Sequence, residues 1–204
     1  MMGGAEYELS KLHATIFFVR VSERADWEKV ERMTRAGGVD GWLLYGAVND
    51  EVANRLKTAP LNGVPFVVLG DHRCTQSVHC VNVDNSAVGR LAAHHLASLG
   101  HRRIGFMGGT MHHAYQKQTL KGFRAAVREL GLDDHERLIT DHSSWGQPGR
   151  KSTIEWLRNA GPTALFLPDF EWTAGTWRFL KQFQIEVPKD ISLLGCGKGS
   201  GNVL

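Results

Sequence analysis

The chain has few cysteines, and their spacing does not form a disulfide scaffold. Cys74, Cys80 and Cys196 are the only three among 204 residues, and no two of them form a CxxC pair. An odd number of cysteines at such spacing is typical of a reducing compartment rather than of a small secreted domain. The N-terminus also lacks the charged and then apolar segments of a secretory signal. These absences predict a cytoplasmic protein.

Long apolar runs and a strong charge imbalance are absent as well. No apolar run approaches the roughly 18 residues that a membrane span needs, so the sequence predicts no membrane partner. The formal net charge is only +3, and the basic residues are scattered along the chain. This small excess does not predict a nucleic-acid-binding surface on this chain. With 42% hydrophobic residues, the chain can bury a sizeable core as one large or two small domains.

No catalytic or metal-binding pattern is recognisable. Residues 105–109 contain three glycines but not the G-x-G-x-x-G order of a dinucleotide loop. Residues 143–146 lack the G-x-S-x-G frame of a nucleophile elbow. His94 and His95 are adjacent and would point about 100° apart on a helix, so they do not form the i, i+4 pair of a zinc helix. The sequence therefore predicts no enzyme, no cofactor and no metal site.

Short strand patterns and amphipathic helix patterns alternate along the whole chain. Strands are predicted at residues 13–21, 41–45, 66–69, 81–83, 104–107, 138–140, 163–167 and 191–194. Helices are predicted at residues 23–35, 49–59, 85–99, 116–130, 149–159 and 172–183. This alternation indicates an α/β fold in which helices cover both faces of parallel sheets. Ligands of such sheets bind beyond the carboxyl ends of the strands.

The most informative segment runs from residue 81 to residue 109. Asp84 or Asn85 can cap a helix, and Gly100 stands where a left-handed helix end is needed. The apolar stripe that we expect to face the core consists of Val88, Leu91, Ala92, Leu96 and Leu99. The segment thus predicts a strand, a long helix and a second buried strand that ends in a glycine turn.

The same segment carries a run of ordered motifs. They are Val83-Asp84, His95-Leu96, Leu99-Gly100-His101-Arg102 and Gly108-Gly109. Three further motifs are the Val-Asp-Gly strand at 39–41, Gly-Phe-Arg-x-Ala at 122–126 and Pro-x-Asp-Ile-Ser-x-x-Gly at 188–195. In this order the motifs closely resemble the lactose-repressor/galactose-repressor (LacI/GalR) family of bacterial transcription regulators.

The resemblance implies a periplasmic-binding-protein-like fold with two Rossmann-like subdomains, whose parallel sheets are flanked by helices. Residues 1–80 would form a partial N-terminal subdomain and residues 81–195 the C-terminal subdomain. Residues 196–204 would begin the return crossover, so that the fold is expected to be incomplete at both ends. The implied function is the effector-binding and dimerisation core of a DNA-binding regulator. Its partners would be a small sugar-like effector in the cleft, a second copy of the chain, and operator DNA through a headpiece absent from this chain.

Five residues are candidates for contact with the effector. By the resemblance, Asp169 is the aspartate kept from an Asn-Asp pair, and Thr119 replaces an arginine that grips effector hydroxyls. Asp71 falls one position past an effector aspartate of the family. Trp145 stands where some members stack a sugar ring on tryptophan, and Tyr45 ends a strand with a hydroxyl that a ligand could accept. Structural roles remain open beside these: a helix N-cap for Asp169, and packing for Trp145 and Tyr45.

The family's polar anchors are altered at Thr119, at Pro168 and at Gly197, so the effector differs from a plain monosaccharide or sensing has been lost.

Three other interpretations of the whole chain remain open. A nucleotide-binding α/β enzyme and a transport-type sugar-binding protein are the functional alternatives. A truncated product without function of its own is the third, because burial has to offset chain entropy.

Overall fold

The computed structural model describes residues 2–21, 24–45, 61–69, 79–108, 114–141 and 151–197. Its helices are α1 (Met2–Lys11), α2 (Arg24–Arg35), α3 (Asn85–Ser98), α4 (Ala114–Glu129), α5 (Lys151–Ala160) and α6 (Phe170–Gln182). Its strands are β1 (Trp42–Tyr45), β2 (Phe66–Leu69), β3 (Cys80–Val81), β4 (Ile104–Gly108), β5 (Ile139–Asp141), β6 (Ala164–Leu167) and β7 (Ser192–Gly195). The chain separates into two compact units, with the boundary between Cys80 and Val81. None of the described helices is long and apolar enough to cross a membrane.

The first unit contains a three-stranded sheet in the order β1-β2-β3, in which β1 and β2 run parallel. Helix α2 packs on one face of this sheet through Trp27 and Val30, which form a core with Trp42 and Val68. The indole N–H of Trp42 donates to Thr34 Oγ1 at 2.9 Å, so this buried polar pair is satisfied. Along β1, every second residue points into this core.

The first unit differs from the sequence-based expectation near its N-terminus. Residues 14–21 form no strand, and Phe17 and Phe18 are 64% and 66% exposed, so the strand predicted there is wrong. The β-forming residues are present, but a strand also requires a neighbour that pairs with it, and no described strand does so. Helix α1 was not predicted, and the helix predicted at 49–59 lies outside the described residues.

The second unit contains a four-stranded sheet in the order β5-β4-β6-β7, with every neighbouring pair parallel. Residues of β6 alternate between its faces: Ala164 and Phe166 pack with α3 and α4, whereas Leu165 and Leu167 pack on the side of α6. Phe166 and two further rings, Phe106 and Phe123, lie with centroids 5.5 to 5.8 Å apart. The expectation of a parallel sheet covered on both faces is confirmed for this unit.

Helices α3 and α4 approach until their backbones touch, and glycines make this possible. A Cβ added at Gly89 would lie 2.0 Å from the carbonyl oxygen of Thr119, and one added at Gly122 would lie 2.0 Å from that of Ser86. Arg90 of α3 donates to both carboxylate oxygens of Glu129 of α4, at 3.0 and 2.8 Å. The two helices therefore form one tightly joined pair.

The apolar stripe predicted on α3 is partly wrong. Leu91 and Leu99 are 69% and 61% exposed, and the buried positions are Gly89, Ala92, Ala93 and Leu96. The close approach of α4 demands small side chains, which a pattern of large apolar residues does not reveal. The predicted helix boundaries are confirmed: Asp84 Oδ1 accepts from the backbone N–H of Ala87 at 2.9 Å, and Gly100 has a φ of 92°.

The cysteines differ from the expectation of free thiols throughout. Cys80 is disulfide-bonded, whereas Cys196 is a free thiol. The expectation fails for Cys80 because spacing along the chain does not show which thiols the fold brings together.

Candidate functional site

Several polar residues of the second unit belong to elements that begin at the carboxyl edge of its sheet. Because β4, β6 and β7 are parallel, all three strands end at this edge. Helix α4 begins after β4 and brings Tyr115 and Gln116, α6 begins after β6 at Asp169, and Cys196 directly follows β7. In open α/β sheets this edge is where ligands bind.

Asp169 caps helix α6. Its Oδ1 accepts from the backbone N–H of Trp172 at 3.0 Å, and its extended backbone is that of an N-cap residue. Its own carbonyl oxygen accepts from the hydroxyl of Thr173 at 2.6 Å. The capping role that the sequence left open is therefore present. Within the described part of the chain, nothing donates to Oδ2, so one carboxylate oxygen is available to a ligand.

Gln116 and Tyr115 form a polar pair on the first turns of α4. Gln116 has 0% exposure, and its Nε2 donates to the phenolic oxygen of Tyr115 at 3.3 Å. The other end of the amide, Oε1, is buried without a hydrogen-bond partner. Neither residue is among the effector contacts predicted from the sequence. Their position at the start of the helix that follows the glycine turn after β4 was the available signal.

Thr119 lies one turn further along α4. It is buried, and its hydroxyl donates to the carbonyl oxygen of Tyr115 at 2.8 Å. Thr119, which replaces the arginine of the family pattern, thus bonds the backbone of its own helix and supplies no positive charge at the edge. Direct contact of Thr119 with an effector stays a prediction.

Asp169 sets the electrostatics of this edge. Burial raises the pKa of the Tyr115 phenol above its ordinary value, and the negative charge of Asp169 raises it further. The same two causes, in the same order, raise the pKa of the Cys196 thiol. Both side chains are therefore neutral near pH 7 and act there as hydrogen-bonding groups beside a carboxylate.

Gly197 explains one departure from the family pattern. Its φ is 116°, a conformation that a residue with a Cβ rarely adopts, and an added Cβ would lie 3.3 Å from that of Phe170. An aspartate at this position would be strained in the present backbone.

The remaining predicted site residues lie elsewhere. Tyr45 ends β1 in the first unit with its side chain exposed. Asp71 and Trp145 lie outside the described residues. Of the predicted site residues, Asp169 and Thr119 lie in the described part of the second unit, Asp169 as the N-cap of α6 and Thr119 buried on α4. Across the described ranges, no group of three or more His, Cys, Asp or Glu residues could hold a metal ion.

The parallel sheets and the helices around them define the chain as an α/β protein. Residues 93–201 match the family described as "Periplasmic binding protein-like domain". The chain belongs to this family, and the predicted fold class and resemblance to LacI/GalR-type regulators are confirmed.

Relatives and solved structures agree with this membership. The HTH-type transcriptional regulator MalR of Streptomyces coelicolor is 30% identical over 164 residues, which are 78% of this chain and 48% of the relative. A sugar-binding LacI-family regulator from Escherichia coli, complexed with phosphate, has a TM-score of 0.75 at 20% identity, covering 98% of this chain and 72% of its own. A complex of the regulator CelR with cellobiose has a TM-score of 0.67 at 26% identity, covering 85% and 53%. The chain spans about half the length of the curated relatives it matches.

Proposed function

We propose that this chain is the effector-binding core of a LacI/GalR-type transcription regulator and that it senses a sugar-like ligand. The carrying observation is the polar carboxyl edge of the second sheet, where the charge of Asp169 acts on Tyr115 and Cys196 and no described residue donates to its Oδ2. Relatives named as transcriptional regulators, one of them in complex with cellobiose, support the assignment. The proposal assigns binding rather than catalysis to this edge.

The mechanism follows from linkage. A ligand that binds one conformational state of the core better than the other shifts the balance by its difference in affinity for the two states, and by no more. In the whole protein, this shift would reposition paired headpieces on operator DNA. The headpiece, the homodimer and the cytoplasmic location are parts of the proposal that rest on the family alone.

A thermal-shift series on the purified chain tests the binding function. The panel contains neutral sugars, uronic acids, sugar phosphates, purines, NAD and FMN. We expect the melting temperature to rise with a sugar and to lose this response in Asp169→Ala. Asp84→Ala is the matched control, because it removes an equivalent N-cap from α3 and costs a similar amount, about 1 kcal/mol.

The control separates ligand contact from helix capping. If both variants lose the sugar response, Asp169 acts through stability alone and its assigned role is wrong. A response confined to NAD, FMN or purines would replace the proposal with the nucleotide-binding enzyme. A chain that melts without cooperativity and responds to nothing would contradict a working sensor.

A further inference from the structure

The buried amide of Gln116 lacks a partner at the edge where the ligand is proposed to bind. Its Oε1 is removed from water and accepts no hydrogen bond. Folded proteins pair nearly all such atoms, because an unpaired buried acceptor loses its bond to water and gains nothing. Exchanging the two ends of the amide would only place Nε2 instead of Oε1 at the unpaired position. One hydrogen-bonding position therefore stays open in either orientation.

The amide of Gln116 is linked to the surroundings of Asp169 through Tyr115. The other end of the amide is bonded to the Tyr115 hydroxyl at 3.3 Å, and the phenol in turn lies in the electrostatic field of Asp169. Gln116 is fully covered, whereas Tyr115 is half-buried. A ligand therefore reaches the amide only if the side chains that cover Gln116 move.

The charges at this edge select among ligands. Asp169 contributes a carboxylate, whereas Tyr115, Gln116 and Thr119 contribute neutral groups. Lys117 of α4 is exposed, as is Glu171 of α6. A ligand next to the Asp169 carboxylate is therefore favoured if it donates hydrogen bonds and disfavoured if it carries a negative charge.

We infer that Gln116 is a specificity-determining residue, and that together with Asp169 it selects a hydroxyl-rich ligand that bears no anionic group. The open end of the Gln116 amide pairs with a ligand hydroxyl, and the free oxygen of Asp169 accepts from a second hydroxyl. This inference rests on the proposed function. It adds that the effector carries no negative charge and that Gln116 contributes to its selection.

The test compares two properties of the full chain carrying Gln116→Met, which keeps the length of the side chain but removes the amide. Melting temperatures are measured without ligand and with maltose, cellobiose, glucuronate or glucose 6-phosphate. We expect the variant to melt at or above the wild-type temperature without ligand, because an unpaired polar atom has been removed. For the neutral sugar that stabilises the wild type, we expect about tenfold weaker binding, as for loss of one ligand hydrogen bond.

Two further variants complete the design. Thr176→Val removes another buried polar group of this unit, whose hydroxyl contacts Met107 Sδ at 3.6 Å, and should leave ligand binding unchanged. Asp169→Asn retains a good N-cap but removes the charge, so glucuronate should gain relative to the neutral sugar. This second arm keeps the inference testable even if Gln116→Met does not fold.

The outcomes separate the inference from the function on which it rests. If Gln116→Met destabilises the free chain and binds the neutral sugar as the wild type does, Gln116 is structural and the inference is wrong. If glucuronate or glucose 6-phosphate stabilises the wild type more than any neutral sugar, the inference fails while the sensor function stands. If no sugar has any effect, the proposed function fails, and the inference fails with it.

Discussion

In the second unit, the residues of β6 alternate between two apolar cores, whereas in the first unit those of β1 alternate between a core and solvent. The buried side of β1 holds Trp42, and the other side exposes Leu43 and Tyr45. Parallel sheets depend on cover over both faces. Strands with similar apolar sequences are thus buried on both faces in one unit and on one face in the other, because different elements pack against them.

The largest expected effect comes from the helix pair of the second unit. In Gly89→Ala, the new Cβ would meet the backbone of Thr119 at 2.0 Å, so the helices have to separate. We expect a loss of about 3 kcal/mol in the free energy of unfolding. Urea denaturation followed by circular dichroism measures it.

Gly4→Ala is the matched control for this glycine. Gly4 lies in α1 of the first unit, and a Cβ there meets nothing within 4 Å. The higher helix propensity of alanine should leave stability unchanged or raise it by up to about 1 kcal/mol. Equal losses in the two variants would show that the contact between α3 and α4 is not what makes Gly89 necessary.

A pair of identical core truncations compares the two units directly. Val68 and Val127 are each 2% exposed, the first in the core beneath β2 and the second between α4 and the second sheet. Each change to alanine should cost about 2 kcal/mol. Native-state hydrogen exchange should show faster exchange in α2, β1 and β2 for Val68→Ala, and in α4, β4 and β6 for Val127→Ala. Uniform acceleration across both units in either variant would contradict separate cores.

Limited digestion with chymotrypsin probes the exposed segment of the first unit. Phe17 and Phe18 are exposed and lie outside regular structure, whereas Phe106, Phe123 and Phe166 are buried in the second unit. We expect the first cleavage among these five sites at Phe17 or Phe18, many-fold faster than at the buried rings. Mass spectrometry of the fragments reads out the order. Earlier cleavage at the buried rings would contradict the expectation that this segment of the first unit is more accessible than the core of the second.

The smallest effect concerns alkaline pH and belongs to the second unit. The pKa values of Cys196 and Tyr115 are raised in the folded chain above their ordinary values of 9.0 and 10.0. The associated stability is therefore present below about pH 9 and is lost as pH rises through the folded-state values. Melting temperature should fall between about pH 9 and pH 11, and the fall should be smaller in Cys196→Ser. An identical fall in both proteins would contradict the contribution of Cys196.

Local patterns predicted the second unit well. The strand expected at 163–167 corresponds to Ala164–Leu167, and the helix expected at 172–183 to Phe170–Gln182. These segments combine strong periodicity with clear caps, and both are short-range signals. The strand expected at 13–21 is absent because β propensity does not reveal whether a pairing partner is present.

The candidate site was less accessible to sequence reasoning. Asp169 was found through the family resemblance, as the aspartate kept from an Asn-Asp pair at the end of a strand. Gln116 was missed, because its importance lies in an unpaired buried atom, which only the packing of α4 against the sheet reveals. Gly89 was missed for a related reason: a small residue that allows a close contact looks like a gap in an apolar pattern.

The reciprocal glycine contact also bears on how a signal would travel. Gly122 lies less than two turns beyond Gln116 on α4, and it leaves no slack against Ser86 on the first turn of α3. A rotation of α4 would therefore also displace the first turn of α3. Asp84, two residues before Ser86, caps this turn at the point where the chain enters the helix. The same contact that joins the two helices thus ties the position of α4 to the start of the second unit.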